Sequence, residues 1–335
     1  MTALRRPLPV RDGCASQPSD VLSLASLNVR GLRVCASAVL AWAGACQDSL
    51  VFLCETRVMT DVDVPRAALL QSGFNYMVAA NHERPAAAGV GDGYGLGWLI
   101  NECAGLTVEE ITPGTGAGVT HTDVSWLKVV SPHSGRPLIC AGIYSPPRRL
   151  GEFDVLLDYL DTSLALLAMQ GFEDIVLVGD LNARVSGPDL LRGQEAGMPL
   201  QSPELQTNRA GEQLLDWVRL GSAGFVLGGR WATTWTFEAA ATVNGRHLSV
   251  VDHILASPSL LGKVQTAMVD NFPLSARLTD HCAVRVVISL SGPGGRCGGK
   301  RADRADACLL RLPRPGSPEW GRQRKFLADE LKHPR

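Results

Sequence analysis

The stretch Ile175-Val-Leu-Val-Gly-Asp-Leu-Asn-Ala-Arg184, IVLVGDLNAR, runs out of an apolar strand into two polar side chains, Asp180 and Asn182, separated by one leucine. Residues two apart in a strand point the same way, so the spacing predicts that Asp180 and Asn182 leave one face together while Leu181 turns to the other. Two oxygen-bearing groups side by side can hold one ligand. The same letters also describe a strand breaking into a turn, because Gly, Asp and Asn favour turns and local backbone hydrogen bonds.

Other buried runs end or are interrupted in the same way. Asn28 closes SLNVRGL, Glu55 closes VFLCET, Tyr144 closes GIYSPP, Asp252 sits inside SVVDHIL, and Asp280 and His281 adjoin in LTDH before the last strand. Singly, each has a plain explanation: a turn at Asn28 and Gly31, a charge at a strand end for Glu55, a core edge before Pro146 for Tyr144, a satisfied core histidine for His281. If these positions meet at one edge of the two sheets, the site holds Glu55, Asp180, Asp252 and Asp280 together, and that many carboxylates stay ionised only beside a cation or a protonated partner. Hard oxygen donors without Cys or paired His favour Mg²⁺ or Mn²⁺ over zinc.

Composition is that of a folded chain. Of 335 residues, 45% are hydrophobic and 19% charged, which excludes disorder throughout and provides for a sizeable core. No apolar run approaches the length of a membrane span, and the opening MTALRRPLPVRDG has Pro and polar residues where a signal peptide has its apolar core, so an intracellular, non-secreted protein is expected. Nine cysteines, several inside apolar strands, fit reduced core thiols and no disulfide-linked partner. Charge is uneven: residues 291–335 hold eleven Lys or Arg against five Asp or Glu, a net of +6, which leaves the rest at −7. An acidic body gives no support to a general nucleic-acid patch, although it suits a carboxylate metal site.

Along the chain, apolar runs at 21–29, 49–55, 75–81, 93–100, 124–130 and 137–144 read as strands, the last two joined by the hairpin-type turn Ser131-Pro-His-Ser-Gly135. FDVLLDYLDTSLALLAM (153–169) carries Leu156, Leu157, Leu160, Leu164 and Leu167 at helical spacing, and GEQLLDWVRLG (211–221) repeats the pattern. Strands return at DIVLVGD, WATTWTF, SVVDHILAS, VQTAMVD and CAVRVVISL. About ten strands with few helices predict two packed sheets covered by helices, one α/β domain over 21–290 behind a flexible tail at 1–20. SGPGGRCGGKRADRADA, opening the segment 291–335, reads as a basic linker before a short C-terminal stretch. Its Gly294 to Lys300 matches G-x-x-x-x-G-K, yet Arg301 stands where a phosphate-binding loop needs Ser or Thr and no helix pattern follows, so the match is chance.

The ordered blocks SLNVRGL, VFLCET, IYSPP, VLVGDLNAR, VVDHILAS and LTDH resemble the signature blocks of the endonuclease/exonuclease/phosphatase family, which includes deoxyribonuclease I, apurinic/apyrimidinic endonucleases and inositol polyphosphate phosphatases. The Asn-x-Arg-Gly-Leu after the first strand, GDLNAR, NRAGEQLLDWVRLGSAGFVLGG and Asp-His-Ile-Leu look most like the endonuclease domain of LINE-type (non-LTR) retrotransposons, in which a reverse transcriptase follows. The resemblance implies a four-layer α-β-β-α sandwich of two mainly antiparallel sheets. It implies a monomeric phosphodiesterase that nicks DNA, in the nucleus on the retrotransposon reading. Glu55 would be the principal ligand of Mg²⁺ or Mn²⁺, with Asn28 and Asp280 completing or supporting the site; Asp180 and Asn182 would position the attacking water and the phosphate. His281, held by Asp252, would meet the scissile phosphate or move a proton, and Tyr144 would donate a hydrogen bond there. Arg30, Arg33, Arg148, Arg149, Arg184 and Trp235 are loop candidates for DNA contact, although arginines at loop tips are commonly just solvated. Leu181, Thr279 and His253 depart from the family's frequent Phe, Ser and Tyr. An apurinic repair endonuclease, another phosphodiesterase or phosphatase of the same family, and a degenerate copy that only binds nucleic acid stay open.

Overall fold

The computed structural model describes residues 20–290 apart from 59–62, 80–94, 114–120, 122, 133, 148–151, 188, 190–202, 205, 221–222, 227–234, 243–244 and 272–277. Two six-stranded sheets stand face to face. The first has the order β13 (Val264–Asp270), β14 (Ala283–Ser289), β1 (Val21–Asn28), β2 (Leu50–Cys54), β4 (Leu96–Asn101), β3 (Phe74–Val78); the second has β5 (Thr107–Ile111), β6 (Val124–Val130), β7 (Leu138–Tyr144), β8 (Ile175–Asp180), β12 (Asp252–Ala256), β9 (Gly224–Phe225). Neighbours run antiparallel except one central pair in each sheet, β1 with β2 and β7 with β8. A parallel pair needs a crossover, and α1 (Leu32–Ala45) and, after the short α2 (Arg66–Ser72), α3 (Phe153–Met169) supply the two. A separate hairpin, β10 (Phe237–Thr242) with β11 (Gly245–Ser249), stands beside β12.

The alternation of each strand builds the layers. Leu22 and Leu24 of β1, Phe52 of β2, Cys140 of β7 and Val176 and Val178 of β8 fill the space between the sheets. Their odd-numbered neighbours face outward: Ala25 and Leu27 pack on α1, while Ile139, Ala141 and Leu177 pack on α3 and on α4 (Arg209–Leu220). Strands buried on both faces read as continuous apolar runs, which is why the sequence shows no polar alternation there. The four-layer sandwich expected from the sequence is therefore the observed one, and no described helix is long and apolar enough to cross a membrane.

The expected helix at 153–169 and strands at 124–130 and 264–270 coincide with α3, β6 and β13. Several elements were not expected, α1 and β5 among them. LRVCASAVLAWAGA forms α1 although apolar residues lie on most of its circumference, blurring the helical period; TVEEI forms the edge strand β5, whose residues are half-buried or exposed and leave no hydrophobic mark. Cys35, Cys54, Cys140 and Cys282 are buried free thiols and Cys46 is a half-buried one. Cys103, outside the core in the turn after β4, is disulfide-bonded, so the all-reduced reading holds for those five. The expected tail 1–20, save Asp20, and the segment 291–335 lie outside the described residues.

Candidate active site

Strand parity brings the polar ends together. Asn28, Asp180 and Asp252 sit at even positions in register with the inward-facing residues of β1, β8 and β12, and Tyr144 does the same in β7. The pairing places Tyr144 and Asp252 on either side of Asp180. Glu55 follows the inward-facing Cys54 and would point away if β2 continued. Instead its backbone turns to φ 53°, and the carboxylate returns to the gap between the sheets. Arg30 (φ 48°) and Asn182 (φ 49°) share this left-handed conformation, which non-glycine residues hold only where their surroundings impose it.

One hydrogen-bonded network links these groups. Asn28 Nδ2 donates to Glu55 Oε1 at 3.0 Å and to Asp180 Oδ2 at 3.1 Å, and Tyr144 OH donates to the same Glu55 oxygen at 2.6 Å. Burial and then Glu55 push the Tyr144 phenol far up, so it stays a donor. Asp180 Oδ1 accepts the Asn182 backbone N–H at 3.0 Å, and Asn182 Nδ2 donates to the Ser145 carbonyl at 2.8 Å. The strand ends at Asp180. The pair is thus not two side chains leaving one strand face, as the spacing predicted, but a carboxylate capping a turn that turns Asn182 toward the β7 end. Gly179 permits the close packing behind it, because a Cβ there would lie 1.8 Å from the Ile143 carbonyl oxygen.

On the other side, His281 Nδ1 lies 3.0 Å from Asp252 Oδ2, with its Nε2 3.8 Å from Asp180 Oδ2 and 4.0 Å from Asp280 Oδ1. Burial opposes charge on the imidazole, but Asp252, with Asp180 and Asp280, outweighs it and holds His281 up at about 9, so the ring is an imidazolium at neutral pH. Asp180 is pushed up to about 7 by its burial and by Asp252, against the pull of His281, Asn28 and the Asn182 amide.

The ligand atoms of Asp180, Asp252 and His281 all lie within 4.8 Å of one another, the tightest group of metal-binding side chains among the described residues. Within it, His281 Nδ1 is already engaged by Asp252 at 3.0 Å. Glu55 is better disposed: both of its hydrogen bonds fall on Oε1, which leaves Oε2 for a cation. Asn28 Oδ1 accepts only the long 3.3 Å contact from the Arg30 amide, and the segment carrying Asp280 is tied to the end of β1, where Thr279 Oγ1 donates to the Asn28 carbonyl at 2.7 Å. These hard oxygens fit a divalent cation of the Mg²⁺ or Mn²⁺ kind.

Several supporting residues carried no signal in the sequence. Thr236 is fully buried, and its Oγ1 accepts the backbone N–H of Val251 at 3.0 Å and of Asp252 at 3.1 Å, while its carbonyl accepts from Cys282 N at 2.7 Å. It therefore fixes both partners of the Asp252–His281 pair. The Phe237 ring rests against His281 at 4.9 Å, and His253, kept neutral by burial, holds the Ala183 carbonyl at 2.6 Å behind the Asn182 turn. A hydroxyl with such a role looks like any other strand Thr until the chain is folded. Among the arginine candidates, exposed Arg33 pairs with Asp63, Arg184 lines a cavity of about 230 Å³ beside Asn182 with Pro146, Phe153 and Phe237, and Arg30 pairs with Asp280 at 2.6 Å. Trp235 is half-buried next to Thr236; Arg148 and Arg149 lie outside the described residues.

The model of the endonuclease/exonuclease/phosphatase family matches residues 25–281. No match was found among curated proteins. Solved structures of similar fold include the endonuclease domain of TRAS1, a telomere-specific non-LTR retrotransposon, at 14% identity and TM-score 0.54 over 80% of this chain and 98% of that one. An AP endonuclease from Archaeoglobus fulgidus is similar at 17% identity and TM-score 0.54 over 80% and 99%, and AP endonuclease LMAP from Leishmania major at 17% and 0.58 over 85% and 92%. With the family model spanning every strand end that builds the site, the chain belongs to the endonuclease/exonuclease/phosphatase family, whose members are metal-dependent hydrolases of phosphate esters.

Proposed function

We propose that the protein is an Mg²⁺-dependent endonuclease that nicks DNA, of the retrotransposon type. The observation that carries the hydrolase reading is the continuous network from Tyr144 through Glu55, Asn28 and Asp180 to Asn182, facing the His281 ring. The retrotransposon reading is supported by the Asn-x-Arg-Gly-Leu and GDLNAR blocks and the Asp-His-Ile-Leu spelling.

Glu55, with Asn28 and Asp280 directly or through water, would hold the cation, which when bound supplies a Lewis acid for the phosphoryl oxygen and lowers the pKa of a bound water. Asp180, fixed at both oxygens by Asn28 and the Asn182 amide, is placed to accept the proton of an attacking water. His281, with Nδ1 anchored on Asp252, presents its Nε2 proton to a non-bridging phosphate oxygen and lowers the cost of the charge that gathers there. Tyr144 holds Glu55 in place with its hydroxyl, and Asn182, braced on the Ser145 carbonyl, borders the phosphate position. Chromosomal DNA as substrate would place the protein in the nucleus.

An apurinic/apyrimidinic repair endonuclease is the second reading, favoured by the small cavity beside Asn182, of a size to receive a base-free sugar. The test is incubation of supercoiled plasmid, a duplex with one abasic site and a duplex ending in a 3′-phosphate, each with Mg²⁺. Nicked circles from intact plasmid, lost in Asp180→Ala and His281→Ala, support the proposal. Cleavage confined to the abasic duplex would replace it with the repair reading, and no reaction on any of the three by folded protein would refute both.

A further inference from the structure

Arg30 is exposed, yet its backbone and its ion pair tie it to the site. Its backbone lies in the left-handed region at φ 48°, followed by Gly31 at φ 124°. Both flanks of this turn are tied to the end of β2, through Val29 N to the Cys54 carbonyl at 3.0 Å and Leu32 N to the Thr56 carbonyl at 2.9 Å. The partner is tied equally firmly: Thr279 Oγ1 binds the Asn28 carbonyl at 2.7 Å, and the Asp280 carbonyl accepts from Glu238 N at 2.9 Å. Two constrained segments, one from each end of the domain sequence, thus hold Arg30 NH1 2.6 Å from Asp280 Oδ2. An exposed ion pair contributes little to stability, so stability does not account for a strained non-glycine residue kept at this position.

Charge gives the pairing a reason. Glu55, Asp180, Asp252 and Asp280 gather carboxylates at this end of the sandwich, and Arg30 sets a guanidinium, which stays charged at any working pH, directly against Asp280. A fixed positive charge at this place offsets part of the acidic field that a phosphodiester has to approach. Arg also has several N–H donors in a planar fork, so one bound to Asp280 leaves others for a phosphate oxygen, and the Arg30 side chain is 58% exposed and within reach of substrate.

We infer that Arg30 is the second cation of this site: it occupies Asp280 in place of a second metal ion and presents its remaining donors to the scissile phosphate. This rests on the reading of Glu55 and Asn28 as the direct cation ligands, with Asp280 supporting them through water.

The test combines Mn²⁺ binding by calorimetry without DNA and plasmid nicking with Mg²⁺, on the full chain and on Arg30→Ala, Arg30→Lys and Glu55→Gln. Wild type and Arg30→Lys are expected to bind one Mn²⁺, and Arg30→Ala to gain a second, weaker Mn²⁺ site at the freed Asp280. The kcat of Arg30→Ala should fall on the order of 100-fold, as for loss of one preorganised donor, with partial recovery in Arg30→Lys. Two Mn²⁺ ions on wild type, unchanged Mn²⁺ stoichiometry in Arg30→Ala whatever its kcat, or unchanged kcat overturns the inference. The parent reading fails separately, by no Mn²⁺ binding to wild type or by undiminished binding to Glu55→Gln.

Discussion

Asn28 and Asp180, one from each sheet and 152 residues apart in the chain, are joined by a 3.1 Å hydrogen bond at the open end of the sandwich. The same Asn28 amide nitrogen reaches Glu55 at 3.0 Å, so one neutral side chain keeps two carboxylates at a set spacing across the sheet interface. Replacing it should uncouple them. Asn28→Ala leaves two acceptors without their donor and is expected to cost about 1–3 kcal/mol in a denaturant titration. Asn28→Asp puts a third negative charge between them; its melting temperature in chelator should fall below that of Asn28→Ala and recover more on adding Mg²⁺. A melting curve of Asn28→Asp insensitive to Mg²⁺ would exclude a cation at this point.

Proton uptake at the site has a defined sign. His281 is held up at about 9 against an ordinary 6.5, so its contribution to stability is complete below 6.5 and is lost as pH rises through about 9. Asp180, raised to about 7, acts in the same direction, because ionising it costs the folded state progressively as pH climbs from 3.8. In chelator, stability should therefore decline from mildly acidic pH toward pH 9, by on the order of 3 kcal/mol for His281 alone. Removing the largest source of its elevation, in Asp252→Asn, should flatten that decline and move the alkaline limb of the nicking rate to lower pH, since less imidazolium remains. Parallel pH profiles for the two proteins would contradict the pairing.

Cation dependence should follow Glu55. Chelator is expected to abolish nicking and either Mg²⁺ or Mn²⁺ to restore it, while Glu55→Gln, with a neutral donor at the principal position, should need at least about tenfold more cation for half-maximal rate. Equal half-saturating Mg²⁺ for the two proteins would remove Glu55 from the cation site.

Gly179 is irreplaceable for a steric reason. Any Cβ at this position meets the Ile143 carbonyl oxygen at 1.8 Å, inside the parallel pairing of β7 and β8. Gly179→Ala must spread the two strands that carry Tyr144 and Asp180, and a loss of about 3 kcal/mol or more is expected, with nicking lost even where the fold survives. Near-wild-type stability would mean the strands separate freely.

Away from the site, Arg285 and Asp48 form a buried bidentate pair at 2.7 and 3.0 Å, with Trp42 against the guanidinium. Removing Asp48 leaves the buried Arg285 with the longer 3.4 Å contact to Asp270, so Asp48→Ala should cost on the order of 3 kcal/mol by urea titration. Nicking at low temperature should remain near normal, because no residue of the pair touches the site.

The amino-acid sequence determined the two-sided apolar strands, the leucine helix at 153–169, and the identities of the polar residues at the strand ends, since each follows from short-range periodicity and from the ordered motif blocks. It did not reveal α1, whose apolar residues run round most of the helix, nor which strands pair in parallel, because pairing partners lie far apart in the chain. The turn that brings Glu55 back between the sheets was equally invisible, as was the placement of Thr236 beneath Asp252 and of Arg30 against Asp280. Those relationships join segments separated by up to 250 residues. Only the packing of one sheet on the other sets the distances that turn a row of strand-ending polar residues into a site.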